Sequence, residues 1–307
     1  MLINKERVFK TLHEKNALQR FLARHFLFEL AQSLGFHVVG DHFYELYPNT
    51  RQLAREYNEG PRLLAGLDLR LSECEGRALR LLGLYGTEYP QAAGRFGYVE
   101  NNYYFRGLDA LMFYLVLRDI KPAKLVEIGQ GFSTRIALAA LERNAADTGT
   151  RPLFVSVDPY PRFVAKDVPS CISLEVLQKP LQRVSIKPLL QDCGFLFVDS
   201  SHVYKSGSDV EQEFTTIYPE LPRRVVIHLH DIFTPFNYPR SWSLALKRFW
   251  NEQYFLESFL MFNAAFEVYL PLHLLWAQSE SLQKAVRLLK LDPQFRYSGQ
   301  SFYLLRA

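Results

Sequence analysis

A chain of 307 residues that is 48% hydrophobic, 14% aromatic and 22% charged can bury a substantial core, which excludes a disordered or collagen-like polymer. Its 36 Lys+Arg against 32 Asp+Glu leave a formal charge of +4, with no run of five like charges, so composition gives no reason to expect nucleic acid as a partner. Three widely spaced cysteines, Cys74, Cys171 and Cys193, make neither a disulfide framework nor a CxxC knuckle and suit a reducing compartment.

The opening MLINKERVFKTLHEKNALQRF mixes charged and apolar residues from the start, without the apolar core and small-residue cleavage site of a secretory signal. The expected location is therefore cytoplasmic. From residue 4 to about 35, Val8, Leu12, Leu18, Phe21, Leu22, Phe26 and Leu30 fall near helical spacing and predict one or two amphipathic helices. Residues 37–105 carry Tyr, Arg and Gly in quantity and predict short helices and ordered loops. Residues 1–100 are thus expected to form a mainly helical N-terminal extension, a lid in role, and 101–307 the main domain.

After Gly107 helix-length and strand-length segments alternate. Leu108–Ile120 predicts a helix ended by Pro122. Strands are predicted at Leu125–Gly129, Leu153–Asp158, Ile172–Leu177, Gly194–Asp199 and Val225–Asp231, with a helix over Ser133–Asn144. Short apolar runs separated by helices describe an α/β fold, a doubly wound parallel sheet covered on both faces. Phe266–Leu270 and Ser301–Leu305 add two further strands, making seven, with an antiparallel ending. The apolar stretch from Ser258 to Ala277 is interrupted by Asn263, Glu267, Pro271 and His273, so it reads as a strand and helix and no membrane partner is expected.

The segment LVEIGQGFSTR places Glu127, Gly129 and Gly131 between a strand and a helix that opens at Ser133. Glycines there let a ligand approach the backbone, and free N–H groups of the helix can hold it. Thr134 stands where a dinucleotide GxGxxG needs its third glycine, and Glu127 would repel a pyrophosphate while suiting a cationic amino group. Asp158, ending the second strand, can accept both ribose hydroxyls. S-adenosylmethionine (SAM) fits these residues better than NAD.

Asp199 ends the fourth strand and His202 follows, while His228, His230 and Asp231 end the fifth. All but His228 are expected to converge at the carboxyl edge of the sheet; His228, about 7 Å deeper, reads as a core histidine. Ser208 or Asp209 is a helix cap, Lys205 and Gln182 are surface or ligand-side residues, and Phe233, Phe236, Tyr238 and Trp242 could wall an acceptor pocket, as Tyr103, Tyr104 and Phe105 could cover it.

VEIGQGFSTRIAL, VDSSHVYKSGSDVEQEF and VIHLHDIFTPFNYPRSW together resemble successive motifs of the class I SAM-dependent methyltransferases, in particular methyltransferase family 24. The resemblance runs from about Asn101 to the C-terminus and implies a Rossmann-like domain and transfer of a methyl group to a hydroxyl of a small molecule, such as a sugar or natural-product metabolite. Cofactor contacts are then expected from Glu127, Gly129, Gly131, Ser133, Asp158 and Asp199. Metal-dependent relatives imply a divalent ion held by Asp199 and Asp231 with His230 between them, although imidazole suits magnesium poorly. The competing reading needs no metal: His202 or His230, oriented by Asp199 or Asp231, is a neutral general base. Outside methyl transfer, the same DxxH and HxHD residues could serve a metal-dependent hydrolase, or the fold could bind SAM without catalysis.

Overall fold

Branched and aromatic residues in short runs, buried on both faces, pair side by side into a sheet. The computed structural model, which describes residues 27–39, 41, 45–162 and 168–307, shows seven such strands. They are β1 (Lys124–Ile128), β2 (Leu153–Val157), β3 (Ser173–Leu177), β4 (Phe195–Val198), β5 (Val226–Leu229), β6 (Phe266–Pro271) and β7 (Phe302–Arg306). Their order is β3-β2-β1-β4-β5-β7-β6. β1 to β5 pair in parallel, while β7 is antiparallel to both its neighbours. The antiparallel ending is therefore one strand and not two, because β6 regains the common direction.

The fifth predicted strand is shorter than its apolar run suggests. Pairing stops at Leu229, His230 N–H donates to the Val198 carbonyl at 3.0 Å, and Asp231 turns into the left-handed region at φ 58°. The helix Leu108–Ile120 is as predicted, buried almost all round, and Lys121 in the left-handed conformation ends it before Pro122. The helix after β1 runs Phe132–Thr148, four residues beyond the predicted end, until Gly149 at φ 69° accepts the left-handed cap.

Two compact units emerge from the contacts. Glu59–Pro239 with Trp250–Ala307 carries the whole sheet, and Met1–Asn58 with Arg240–Phe249 forms the other. The boundary drawn at residue 100 falls inside the larger unit, because helices Leu71–Tyr85 and Tyr89–Ala93 pack with the sheet domain. One tie is Arg118, whose Nε donates to Glu88 at 2.9 Å and whose Nη2 donates to Asp147 at 2.6 Å. Of the expected N-terminal helices, only Phe28–Ser33 lies within the described residues. Among those residues no helix is long and apolar enough to cross a membrane. The stretch questioned as a span is instead the end of helix Glu252–Leu260, then β6 and helix Leu272–Gln278.

Candidate active site

β1 lies between β2 and β4, where the strand order reverses, so the carboxyl end of β1 opens on the crevice that doubly wound sheets use for ligands. The two glycines of the following turn serve different ends. Gly129 has φ +87°, and a Cβ there would sit 2.0 Å from the Asp199 carbonyl oxygen, so chain geometry alone demands glycine. Gly131 is extended at φ −170°, and a Cβ there would meet nothing within 4 Å. Its missing side chain leaves open space at the start of helix Phe132–Thr148.

Glu127 is fully buried and braces this turn. Its carboxylate accepts from Ser133 Oγ at 2.8 Å, Thr134 Oγ1 at 2.8 and 3.0 Å, and Ser156 Oγ at 2.8 Å. Burial raises its pKa to about 7, and the three hydroxyls hold it below where burial alone would put it. Ser133 is enclosed too, so neither its hydroxyl nor the Glu127 carboxylate is presented at the surface of the turn, where Gly129 to Phe132 are half-buried. Asp158, one residue past β2, accepts the backbone N–H of Gln130 at 2.8 Å and of Tyr160 at 2.6 Å, one on each oxygen. Each oxygen keeps acceptor capacity for a further donor.

At the ends of β4 and β5 the predicted polar group does converge. His230 Nδ1 lies 3.4 Å from Asp199 and 3.7 Å from Asp231, and His202 Nε2 lies 3.3 Å from Asp199 and 3.7 Å from Asp231. His202 and Asp231 both hold positive φ, 59° and 58°, a strain that non-glycine residues carry mainly at functional positions. Neither ring nitrogen of the buried His230 makes a hydrogen bond. Asp199 is 29% exposed by side chain and is the group of this corner most open to solvent.

The charges around the two histidines weigh against a neutral imidazole at this corner. Burial opposes a charge on His202, but hydrogen bonds to Asp199 and Glu252, with the charges of Glu252 and Asp231, raise its pKa well above the usual 6.5. His230 reaches about 9 for the same reason: burial lowers it, and Asp231 and Asp199 more than compensate. In the absence of a bound cation both rings are therefore biased towards the protonated form by the carboxylates around them. Asp199 shows the reciprocal effect; despite burial, His230 and His202 hold its carboxyl far below the usual range.

Three members of the corner are not apparent from the sequence. Glu252, opening helix Glu252–Leu260, holds His202 Nδ1 at 2.8 Å, with the Trp250 ring 4.3 Å from the imidazole. Asp109, in the first turn of helix Leu108–Ile120, stands 3.9 Å from His230 Nε2 and accepts from Gln300 N at 2.7 Å and Ser301 Oγ at 2.6 Å. Gln300, with its amide oriented by its hydrogen bonds, donates to Asp231 Oδ1 at 2.8 Å. Only Asp109 had a sequence signal, an acid just inside a helix start after Gly107.

His228 is the core residue expected. It is fully buried, bonded to Ser301 Oγ at 2.7 Å and stacked on Tyr303 at 4.1 Å, and burial holds it neutral. Phe105 is buried against His230 at 5.1 Å, whereas Tyr103 and Tyr104 are exposed. Ser208 is the helix cap and accepts from Glu211 N at 3.1 Å. Gln182 donates to the Gly207 carbonyl at 3.0 Å, and Lys205 is exposed. Of the aromatic group, Phe233 packs on Tyr238 at 5.9 Å and on His273 at 5.1 Å, and Trp242 belongs to the smaller unit.

Residues 126–232 match a family described as a methyltransferase domain. This span starts in β1 and ends just past Asp231, so it contains the glycine turn, Asp158, Asp199, His202, His230 and Asp231, while Asp109, Glu252 and Gln300 lie outside it. This stretch is therefore similar to a methyltransferase domain, a match that favours methyl transfer over the metal-dependent hydrolase. The chain is also 27% identical over 156 residues to an uncharacterized protein of Archaeoglobus fulgidus, covering 47% of this chain and 69% of that protein. Among solved structures it is similar to the SAH-bound methyltransferase PaMTH1 of Podospora anserina, at 13% identity and a TM-score of 0.36 over 76% of this chain and 93% of that one. The plantazolicin methyltransferase BpumL, with a monoazolic desmethylPZN analog and SAH, is similar at 9% identity and a TM-score of 0.34 over 77% and 97%.

The same corner also offers a donor set for a divalent cation. One ligand atom each from Asp199, His230 and Asp231 lies within 4.8 Å of the other two. The unbonded ring nitrogens of His230 fit that role, since a buried imidazole without a hydrogen bond is costly unless another partner completes it, and a bound cation would displace the proton that the nearby carboxylates favour on the ring. Two carboxylates with one imidazole favour Mn²⁺, Fe²⁺ or Zn²⁺ over Mg²⁺.

Proposed function

We propose that this chain is a SAM-dependent methyltransferase that moves the methyl group of SAM to a hydroxyl of a small molecule, using the Asp199–His230–Asp231 corner to hold a divalent cation and the acceptor. The observation that supports this is adjacency. Asp199 N–H donates to the Ile128 carbonyl at 2.9 Å, and the Asp199 carbonyl fills the space a side chain at position 129 would need. The cofactor turn and the polar corner therefore share a wall. In this reading the backbone at Gly129–Gly131 seats the cofactor, Asp158 takes the ribose hydroxyls, and Glu127 supports the turn from behind through Ser133 and Thr134.

In methyl transfer from a sulfonium the acceptor oxygen bonds to the methyl carbon as the carbon–sulfur bond breaks, and the hydroxyl proton must leave. The carboxylates of Asp199 and Asp231 are the groups able to receive a hydrogen bond from that hydroxyl. His202, enclosed and cationic, holds both in place from one side, itself held by Glu252. A divalent cation bound at the corner supplies Lewis acidity that lowers a hydroxyl pKa.

The test is calorimetry with SAH and with Mn²⁺, followed by turnover once an acceptor is in hand. SAH should bind, and His230→Ala should reduce Mn²⁺ affinity by about 10–100-fold or more with SAH affinity kept. EDTA should abolish turnover and Mn²⁺ restore it. Turnover that is indifferent to EDTA would remove the cation from the reaction and leave the acceptor proton to the carboxylates of Asp199 and Asp231.

A further inference from the structure

Arg296 stands beside this corner, and its place is built into the fold. Leu108 N–H donates to the Arg296 carbonyl at 3.0 Å, and Gly107, at φ +63°, passes so close that a Cβ there would lie 2.1 Å from that oxygen. The side chain is held as well. Nε donates to Ser298 Oγ at 2.7 Å, and the Gln300 amide oxygen accepts from Nη2 at 3.0 Å and Nη1 at 3.3 Å while the Gln300 nitrogen donates to Asp231. A guanidinium has five N–H groups; three are engaged, and one on each terminal nitrogen is left in an exposed residue.

Some arginines of the chain are paired with carboxylates, as in Arg62–Glu257, Arg80–Asp119, Arg95–Glu142 and Arg118–Glu88. Arg296 makes no ion pair among the described residues, although Asp231 is only one amide away. Arg296 thus stands at the edge of a corner that holds Asp109, Asp199 and Asp231. A neutral acceptor has no need of it. An anionic acceptor has, because it must approach three carboxylates, and a pre-held guanidinium binds a carboxylate or phosphate with little further ordering.

We propose that the methyl acceptor is an anionic hydroxy compound, whose carboxylate or phosphate docks on Arg296 while its hydroxyl reaches the Asp199–His230–Asp231 corner. This rests on the methyltransferase reading above. The experiment incubates the full chain, with Mn²⁺ and SAM labelled in the methyl group, against hydroxybenzoates and hydroxy acids, hydroxyl-bearing phosphate esters, and the neutral amides of the same acids. Label should enter anionic members at least tenfold more efficiently than their amides, and the better of the carboxylate and phosphate arms identifies the anion. Arg296→Ala should raise KM for the anionic acceptor tenfold or more with kcat little changed, Arg296→Lys should restore part of it, and the amides should respond to neither. Equal labelling of acids and amides, an unchanged KM in Arg296→Ala, or labelling of neutral members only overturns the proposal, as does labelling of none while SAH binds. Absence of SAH binding in the same preparation would instead sink the methyltransferase reading itself, and a melting curve shows whether Arg296→Ala still folds.

Discussion

The two polar clusters at the carboxyl edge of the sheet are built to opposite rules. Behind β1 and β2, Glu127 receives three hydroxyls and Asp158 two backbone amides. Past β4 and β5, His230 has carboxylates on several sides and a hydrogen bond to none, and two residues are held at positive φ. A buried polar group that is satisfied fixes a shape, and one left unsatisfied is stable only if something else completes it. The first cluster is therefore scaffold, presenting backbone to a ligand, and the second presents side chains.

The largest expected effect separates the two glycines of the turn. Gly129→Ala forces a left-handed alanine into the Asp199 carbonyl, at about 3 kcal/mol or more, so melting should fall by roughly 5–10 °C and SAH binding should go with it. Gly131→Ala meets no atom, so stability should stay within about 0.5 kcal/mol while SAH affinity drops about tenfold, ~1.4 kcal/mol. Calorimetry that finds full SAH affinity in Gly131→Ala would move the cofactor off this turn.

Glu127 sharpens the contrast through pH. Its folded pKa of about 7 lies above the ordinary 4.5, so its contribution to stability is fully present below pH 4.5 and is lost as pH rises through 7. The shift corresponds to about 3 kcal/mol. Glu127→Gln stays neutral throughout, so its stability relative to the parent should rise between pH 5 and pH 8. Denaturant melts at several pH values would show this, and a flat difference would mean that the buried carboxyl ionises freely.

The sheet and the glycine turn were legible because their signals are local. Short apolar runs and a strand–ExGxG–helix segment need no knowledge of what packs against them. Convergence of Asp199, His202, His230 and Asp231 was legible too, since strand ends share an edge. Protonation of the two histidines was not, because it depends on Glu252 and Asp109, which lie 50 and 121 residues away in sequence from the rings they face. Gln300 and Arg296 escaped for the same reason; they arrive from the approach to β7, where no motif marks them.

The smallest expected effect tests where the second cluster stops. Ser208 follows His202 by six residues, yet its hydroxyl accepts Glu211 N–H at 3.1 Å and Lys205 N–H at 3.2 Å, closing the loop and capping the helix at Asp209–Gln212. Both bonds are local, and neither reaches Asp199 or His202. Ser208→Ala should then cost about 1 kcal/mol, the usual value of an N-cap, or roughly 2–4 °C in melting temperature, with SAH and Mn²⁺ affinities unchanged. Loss of either affinity without loss of stability would extend the ligand-bearing cluster along the whole Asp199–Ser208 loop, because only a loop coupled to the corner could pass a missing cap on to it.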